Sequence, residues 1–377
     1  MIIGVLKESQ EGENRVAATP QTVKDLIKGG FEVHVQSNTG TPSFISDEDY
    51  QNSGAKIIQD AASILKGADA VIKVGSPSLD EIDQLKSNSI YISLIQTTIE
   101  LDKVKRLAQK NISAFSMHLI PRTTLAQSMD ALSSQANVAG YKAVLIGAMH
   151  LPVYMPLLMT AAGTIPPAKV LIIGAGVAGL QAIATAKRLG AQVEAFDVRP
   201  EVKEQVESLG AKFVEVESDD EDGVGEGGYA KETSDDYKQK QQLVMKDHIA
   251  KSDLVITTAL IPGKPAPVLI PNSMVDAMKQ GSVIVDLASE NGGNCESTEP
   301  GKVVSKNGVT IDGSLNLPST MQVHSSQLYA KNVSTLIAHM SKDGNLNIDL
   351  DDEIISGAIF THDGTICLLY TSDAADE

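Results

Sequence analysis

Short apolar runs alternate with amphipathic, helix-like segments along roughly the first 125 residues. Thr19 followed by Pro20 is typical of a helix start, and Gly29 with Gly30 is typical of a helix end. Strands and helices that alternate in this way predict a parallel sheet with helices on both of its faces. The predicted strands of this first region are residues 2–5, 32–36, 70–74, 90–94 and 112–115.

A second set of apolar runs begins near Lys169 and is again separated by helical patterns. Between the two sets, residues 127 to about 150 form one long helical pattern, which predicts a connecting helix. A helix predicted from residue 317 to about 340 leads back, so the tail from Leu346 is expected to pack on the first region. The predicted strands of the second region are residues 170–173, 192–196, 213–216, 254–258, 282–287 and 309–312.

Two segments depart from this rhythm. Residues 218–238 contain an acidic run, Asp219 to Asp222, that is followed by four glycines. A segment of this composition has little apolar surface to bury and predicts a long mobile loop, with an insertion that has no function as the alternative. Residues 369–377 stop a strand-like run abruptly and are expected to be a cloning or sequencing scar.

One uncharged stretch, residues 143–163, has about the length of a bilayer-spanning helix. Pro152 and Pro156 interrupt this stretch, and His150 lies inside it. These breakers favour a buried helix followed by a connector over a membrane span.

The charge and cysteine content disfavour some classes of binding partner and of metal site. The chain has 31 basic and 48 acidic residues, and a net charge of −17 repels nucleic acid and anionic lipid headgroups. Cys295 and Cys367 are the only cysteines, so no zinc spacing exists and a reducing compartment is expected. The chain opens on an apolar run, and no secretory signal is expected.

The clearest chemical motif is the sequence KVLIIGAGVAGL at residues 169–180, which predicts a strand, a glycine turn and a helix. Gly174 permits the tight turn, Gly176 lets the backbone approach a pyrophosphate, and Gly179 lets the helix pack against the strand. The free N–H groups and the positive dipole end of the helix would face that anion. The motif therefore predicts a dinucleotide site.

The following strand ends at Asp197, about 20 residues further on. A carboxylate at this position can accept hydrogen bonds from both ribose hydroxyls, and it would repel a 2′-phosphate. This favours NAD(H) over NADP(H), with an Asp that only caps the next turn as the alternative. Arg199 is a complication, because a nearby arginine can accommodate a 2′-phosphate.

Together these patterns predict an α/β fold of two Rossmann-like, doubly wound parallel-sheet domains with a cleft between them. The first α/β domain is expected to be discontinuous, with residues 1–137 and 325–377. Residues 138–324 are expected to form the Rossmann NAD(H)-binding domain.

Other chemistry is sparse. Gly263 and Lys264 are followed by Pro265, so they do not form a P-loop, and the seven histidines show no ligand-like pair, so no metal is expected. No cysteine or histidine is placed as an obvious nucleophile. A dinucleotide fold without an acid–base pair favours hydride transfer that needs no proton donor from the protein.

Several segments resemble one family. GVLKE at residues 4–8, ENRVAATP at 13–20 and AVIKV at 70–74 resemble a pattern shared by alanine dehydrogenases and domain I of proton-translocating transhydrogenases. Alanine dehydrogenases carry a catalytic histidine at the end of the strand that follows the lysine of this pattern, but residues 89–96 here contain none. Residues 286–295, DLASENGGNC, resemble the transhydrogenase version.

A second resemblance lies in PRTTLAQSMD at residues 121–130, which is similar to the Arg–Gln–Asp loop of transhydrogenase domain I. In that family the loop closes over the nicotinamide. The resemblance implies that Arg122 contacts the cofactor, that Asp130 and Ser133 hold the carboxamide, and that Gln127 reaches toward the second nucleotide. An ordinary helix start with an exposed arginine is the alternative.

The family likeness also implies several nucleotide contacts. YAKE at residues 229–232 resembles the family's mobile loop, although Thr233 stands where methionine is usual, and residues 257–263 resemble the segment under the adenine. The residues implied to bind the cofactor are Gly174, Gly176, Val177, Ala178, Gly179, Asp197, Val198, Arg199, Tyr229, Ala259 and Leu260.

The resemblance implies an NAD(H)-binding component that passes hydride from NADH directly to NADP+. The partners would be a second copy in a homodimer, an NADP(H)-binding domain III and a membrane domain II that couples the reaction to proton translocation. The chain would lie on the cytoplasmic or matrix side of the membrane. Two alternatives remain: an alanine-type dehydrogenase that uses Arg15 and Lys73 on a carboxylate, and a non-catalytic NADH-sensing subunit.

Overall fold

The computed structural model describes residues 1–216, 235–261, 264–342 and 344–367. These residues form two compact units. Unit 1 contains Met1–Gln135 together with the chain from Pro318 onward, and unit 2 contains Ala136–Leu317. The predicted α/β class of two sheet-containing domains is confirmed. The predicted domain boundaries after residues 137 and 324 stay a prediction.

Unit 1 is built on an eight-stranded sheet. Numbered along the chain, its strands are β1 (Ile2–Val5), β2 (Glu32–Gln36), β3 (Lys56–Ile58), β4 (Ala70–Ile72), β5 (Ile90–Ser93), β6 (Ser113–Ser116), β18 (Ile359–His362) and β19 (Thr365–Ile366). Their order in the sheet is β19-β18-β6-β5-β4-β1-β2-β3. The first six strands pair in parallel, whereas the two C-terminal strands add to one edge in antiparallel orientation. The tail therefore returns to the first region, as its sequence predicted.

Helices cover both faces of this sheet. They are α1 (Pro20–Lys28), α2 (Asp47–Asn52), α3 (Ala61–Gly67), α4 (Leu79–Gln84), α5 (Leu101–Gln109), α11 (Gln322–Met340) and α12 (Glu353–Ala358). On one face, α1 and α11 pack with Val33, Val35 and Ile72 into one apolar core, and α3, α4 and α5 pack with Val71 and Tyr91 into a second core on the other face. A small hairpin, β16 (Ser341–Lys342) with β17 (Asn345–Leu346), follows α11.

Unit 2 is built on a seven-stranded sheet. Its strands are β9 (Lys169–Ile173), β10 (Gln192–Phe196), β11 (Lys212–Phe213), β12 (Leu254–Thr257), β13 (Val283–Asp286), β14 (Val303–Lys306) and β15 (Val309–Asp312). Their order is β11-β10-β9-β12-β13-β15-β14, and all pairings are parallel except that of the edge strand β14 with β15. The helices around this sheet include α7 (Val177–Arg188), α8 (Lys203–Ser208), α9 (Asp235–Lys251) and α10 (Asn272–Val275).

The long connecting helix is confirmed as α6 (Ala131–His150), preceded by a 3-10 turn at Gln127–Met129. It packs closely within unit 2. A Cβ atom on Gly140 would lie 2.1 Å from the carbonyl oxygen of Ala178, and a Cβ atom on Gly147 would lie 2.6 Å from a methyl group of Leu254. Only glycine fits at position 140, where the neighbour is backbone, whereas a side chain at position 147 would require the buried Leu254 side chain to shift.

A connector follows α6, as the sequence predicted, and it is exposed. The chain forms an exposed antiparallel hairpin, β7 (Leu158–Thr160) with β8 (Gly163–Ile165), and Met159 is 73% exposed. Prolines stop the helix, but they do not decide whether the following apolar residues are covered. No helix within the described ranges is both long and apolar enough to cross a bilayer.

The predicted mobile loop at residues 218–238 lies largely outside the described residues, as does the suspected scar at residues 369–377. The loop prediction was too long at its end, because helix α9 begins at Asp235. The acidic and glycine-rich composition behind that prediction ends at Gly228.

Candidate nucleotide-binding site

The candidate site lies at the carboxyl edge of the unit 2 sheet. From β9 the chain proceeds to β10 and β11 on one side, whereas β12 pairs on the other side of β9. In open parallel sheets this reversal of strand order leaves a crevice in which ligands bind. The glycine turn that follows β9 lies at this position.

Each of the three glycines in the turn has a different surrounding. Gly174 has a φ of +97°, and a Cβ atom there would lie 2.4 Å from Thr258 Oγ1. A Cβ atom on Gly179 would lie 1.8 Å from the carbonyl oxygen of Gly174, so helix α7 can approach the strand only with glycine at this position. These two glycines have the structural roles that the motif predicted.

Gly176 faces open space instead. A Cβ atom there would meet no closer neighbour than an Arg199 nitrogen at 4.0 Å. Gly176 is also the N-cap of the 12-residue helix α7 and offers no side-chain oxygen to the first turn. Open room above backbone N–H groups at a helix N-terminus fits a pyrophosphate. Val177 and Ala178 form the first turn of that helix, and Val177 is exposed.

Asp197 is tied to the same turn. Its Oδ2 accepts a hydrogen bond from the Ala175 N–H at 2.7 Å, and its Oδ1 accepts one from the Arg199 N–H at 2.9 Å. The Arg199 guanidinium adds two more bonds, from Nε to Oδ1 at 2.9 Å and from Nη2 to Oδ2 at 3.0 Å. The structure therefore brings the predicted acid to the glycine turn and shows that Arg199 is its partner. Val198, between them, is half-buried.

The segment after β12 forms a neighbouring wall. Thr258 Oγ1 donates to the Gly174 carbonyl oxygen at 3.0 Å, which places this segment directly beside the turn. Asn294 holds it through hydrogen bonds to both the N–H and the carbonyl oxygen of Ala259. Leu260 and Ile261 are exposed, so they offer apolar surface beside the turn. Asn294 was missed as a positioning residue because its partner is 35 positions away in sequence.

Asp286 is a second organising carboxylate in unit 2. It is buried and accepts hydrogen bonds from Thr257 Oγ1, Thr298 Oγ1 and the N–H groups of Ala288 and Cys295. With four donors around it, this carboxylate fixes the loop after β13. The sequence resemblance covered this residue but gave no role for it.

The residues of the predicted nicotinamide loop lie in unit 1. Asp130 accepts hydrogen bonds from the Ser133 N–H at 2.8 Å and from Ser133 Oγ at 2.5 Å, as a carboxylate at a helix start does. Gln127 and Arg122 are exposed. The structure thus joins Asp130 to Ser133 by direct hydrogen bonds and leaves Gln127 on the surface. Tyr229 lies outside the described residues.

The back of this loop is well anchored. Met129 and Ala126 are buried in the unit 1 core, and Asn332 on α11 donates to the Ser128 carbonyl oxygen at 2.9 Å. Asn332 also accepts a hydrogen bond from Ser134. The loop therefore presents its exposed polar side chains from a fixed backbone.

Unit 1 contains the two cations of the alanine-dehydrogenase alternative, and both are buried. Arg15 is bound by both oxygens of Glu13, at 2.8 and 2.7 Å, and by Gln135 at 2.9 Å. Lys73 is bound by both oxygens of Glu81, at 2.9 and 3.1 Å. Each cation already has a carboxylate of this chain as its partner.

Comparison with known families matches almost the whole chain. The model of the alanine dehydrogenase/PNT N-terminal domain matches residues 4–139, and that of the alanine dehydrogenase/PNT C-terminal domain matches residues 143–368. An NAD(P) transhydrogenase alpha-subunit protein of Rhodospirillum rubrum is 48% identical over 97% of both chains. The alanine dehydrogenase of Staphylococcus epidermidis is 32% identical over 85% of this chain and 82% of its own.

Among the solved structures too, a transhydrogenase is more similar to this chain than an alanine dehydrogenase is. A transhydrogenase structure from Sinorhizobium meliloti matches with a TM-score of 0.88 at 45% identity, over 97% of this chain and all of that one. An L-alanine dehydrogenase structure matches with a TM-score of 0.81 at 25% identity, over 97% of this chain and 96% of that one. The chain therefore belongs to the alanine dehydrogenase/PNT family, and among these relatives it is more similar to the alpha subunits of NAD(P) transhydrogenase than to the alanine dehydrogenases.

Proposed function

We propose that this chain is the NAD(H)-binding component of a proton-translocating NAD(P) transhydrogenase. The observation that carries the proposal is the open space above Gly176, between the N-terminus of α7 and the Asp197 carboxylate. The pyrophosphate would bind the helix N-terminus, and the ribose would bind Asp197. The similarity to transhydrogenase alpha subunits supports the reaction.

In this proposal, hydride passes directly from NADH to NADP+ on a partner domain III. The nicotinamide ring supplies the hydride chemistry, and the chain supplies binding and orientation. Asp130 and Ser133 hold the carboxamide, Arg122 contacts the cofactor, and Gln127 reaches the second nucleotide. The fixed backbone behind Asp130 and the exposure of Gln127 support these roles.

The proposed assembly is a homodimer that joins domain III and a membrane domain II on the cytoplasmic or matrix side. The hairpin of β7 and β8 supports a contact between two copies. Its Met159 and Ile165, and the preceding Leu157, are exposed apolar side chains on an element that packs poorly on its own unit. A two-stranded hairpin is marginally stable in water, so a second copy that covers it would stabilise it.

The deciding experiment is cyclic transhydrogenation with a heterologous domain III protein. We expect hydride to move between the two nucleotides at a rate that depends on both proteins. If the chain binds NADH but no hydride transfer occurs, the proposed reaction is overturned, and the alternative of a non-catalytic NADH-sensing subunit is favoured. The same preparation should fail to reduce pyruvate in the presence of ammonia and NADH, and turnover on the order of 10 s⁻¹ in that assay would replace the proposal with an alanine dehydrogenase.

The role of Gln127 has its own test. Gln127→Asn shortens a side chain that would contact the second nucleotide only when both rings are docked, so hydride transfer should fall about tenfold or more while NADH affinity stays nearly unchanged. Asp130→Asn should also weaken NADH binding. Gln51→Asn, at an exposed glutamine on α2, is the matched control. Equal losses of NADH affinity and of transfer rate in Gln127→Asn would mean that the residue contacts NADH alone.

A further inference from the structure

We propose that the Arg199 guanidinium is a latch on the Asp197 carboxylate, which a ribose must open before it can bind. The same guanidinium would make the site more tolerant of a 2′-phosphate than the carboxylate alone would allow. This inference rests on the proposed nucleotide site. It assigns to Arg199 a role in selecting between NAD(H) and NADP(H).

Four hydrogen bonds already occupy the Asp197 carboxylate. A carboxylate offers about four acceptor positions on its two oxygens. Here Oδ1 receives the backbone N–H and Nε of Arg199, and Oδ2 receives the Ala175 N–H and Nη2 of Arg199. All four distances are 2.7–3.0 Å, so the carboxylate has no position left for a ribose hydroxyl.

Only two of these four donors can leave. The N–H groups of Ala175 and Arg199 belong to the glycine turn and to the chain after β10, and they are fixed by the backbone. The side-chain donors belong to a guanidinium that is 24% exposed, whereas the Asp197 side chain is 6% exposed. Two ribose hydroxyls would therefore replace Nε and Nη2, and the guanidinium would swing away.

The position of the guanidinium is the reason to expect tolerance of a 2′-phosphate. It lies over the turn, 4.0 Å from where a Cβ atom on Gly176 would be. A ribose that displaces the guanidinium from Asp197 would still hold its 2′ position near the long Arg199 side chain, which starts two residues from Asp197. An unphosphorylated ribose competes with the guanidinium for the carboxylate, whereas a 2′-phosphate gains a charged, bidentate partner. Removing the guanidinium should thus have opposite effects on the two kinds of ligand.

The experiment measures equilibrium binding to the full chain by calorimetry, with NADH, adenosine and NADPH as probes. NADH binding to the unaltered chain is measured first. If NADH does not bind there, the proposed nucleotide site fails, whatever Arg199 does. If NADH binds, Arg199→Gln tests the latch. We expect adenosine to bind about threefold more tightly to this variant and NADPH about tenfold more weakly.

Two further variants keep the test decisive. Lys203→Gln removes one positive charge from an exposed side chain that pairs with Glu215, so it controls for net charge and should leave both affinities unchanged. Arg199→Lys keeps the charge without the bidentate geometry, and it should bind adenosine more tightly than the unaltered chain while retaining most of the NADPH affinity.

The outcomes separate clearly. Weaker binding of adenosine and NADPH alike in Arg199→Gln would make Arg199 an ordinary nucleotide contact and would overturn the latch. Unchanged affinities would also overturn it, because the guanidinium would then neither hinder a ribose nor assist a 2′-phosphate. Opposite shifts in Arg199→Gln, absent from Lys203→Gln, would support it.

Discussion

The two sheets reverse their strand order in the same way, yet the crevices they form differ. In unit 1, β1 is followed by β2 and β3 on one side, and β4 pairs on its other side, as β12 does beside β9 in unit 2. The third residue after β1 is Glu8, and the third residue after β9 is Gly176. One crevice receives a side chain, and the other is left open.

The Glu8 carboxyl group takes in unit 1 the place that a bound anion would take in unit 2. Its carboxylate accepts the N–H groups of Val74 and Gly75, at 2.6 and 3.1 Å, directly after β4. Nearby, Lys73 is paired with Glu81. The comparison teaches that the doubly wound fold offers a crevice twice in this chain. Whether a ligand can enter depends on whether a carboxyl group of the chain already fills the crevice.

The largest effect should come from making the two crevices alike. Gly176 has a φ of −74° and open space around its Cβ position, so Gly176→Glu is compatible with the backbone. Its carboxylate would occupy the pyrophosphate position, and NADH affinity should fall about 100-fold or more. Calorimetric titration measures this loss. Gly176→Gln controls for bulk without charge, and retained NADH affinity in Gly176→Glu would contradict the proposed position of the pyrophosphate.

The next prediction separates the structural glycine from the ligand-facing one. In Gly179→Ala the new Cβ atom meets the Gly174 carbonyl oxygen, so the helix or the turn must shift. We expect the free energy of unfolding to fall by about 3 kcal/mol. Gly176→Ala is the matched variant and should lose less than about 1 kcal/mol. Urea unfolding of both variants checks this, and equal losses would mean that the close approach of α7 to β9 is not the constraint.

The smallest effect concerns the buried Glu8 carboxyl group of unit 1. Desolvation raises the pKa of Glu8 from 4.5 to about 7, although Lys73 and the two N–H groups oppose the shift. Because the folded state holds this proton more tightly, the associated stability is present below about pH 4.5 and is lost as the pH rises through about 7. The free energy of unfolding, relative to that of Glu8→Gln, should fall by about 2 kcal/mol between pH 5 and 8.

Unfolding titrations at several pH values measure this difference. Glu11→Gln, at an exposed glutamate close in sequence, is the control for the substitution itself. A difference between the natural chain and Glu8→Gln that stays constant across this range would mean that Glu8 is ionised throughout.

Local patterns were enough for much of the fold. Strands β1, β2, β10 and β15 have the predicted bounds, because each is a clear apolar run between turn signals. Strand β3 was missed because Lys56–Ile58 is too short to show a period. Strand β14 was missed although Asn307-Gly308, both with positive φ, is a readable hairpin turn before β15.

The parts of the candidate site that are formed by residues close in sequence could be predicted, whereas the contacts between distant segments could not. The glycine turn and Asp197 follow from spacing within one strand–helix–strand unit. The bond from Asn294 to Ala259 and the bonds around Asp286 join distant segments, so no short pattern reports them. The pairing of Arg199 with Asp197 spans two residues, but the side-chain geometry that closes it forms only in the folded chain.

Because Cys295 is buried, its reaction with a thiol reagent can measure the opening of unit 2 in solution. This thiol is buried beside the Asp286 network, whereas Cys367 in unit 1 is exposed, and desolvation raises the pKa of both thiols. A thiol reagent should therefore label Cys367 quickly and Cys295 only during transient opening of unit 2. A nucleotide that binds the closed form of unit 2 slows that opening in proportion to its occupancy. The ratio of the labelling half-times of Cys295 and Cys367 should therefore report ligand affinity without a spectroscopic probe.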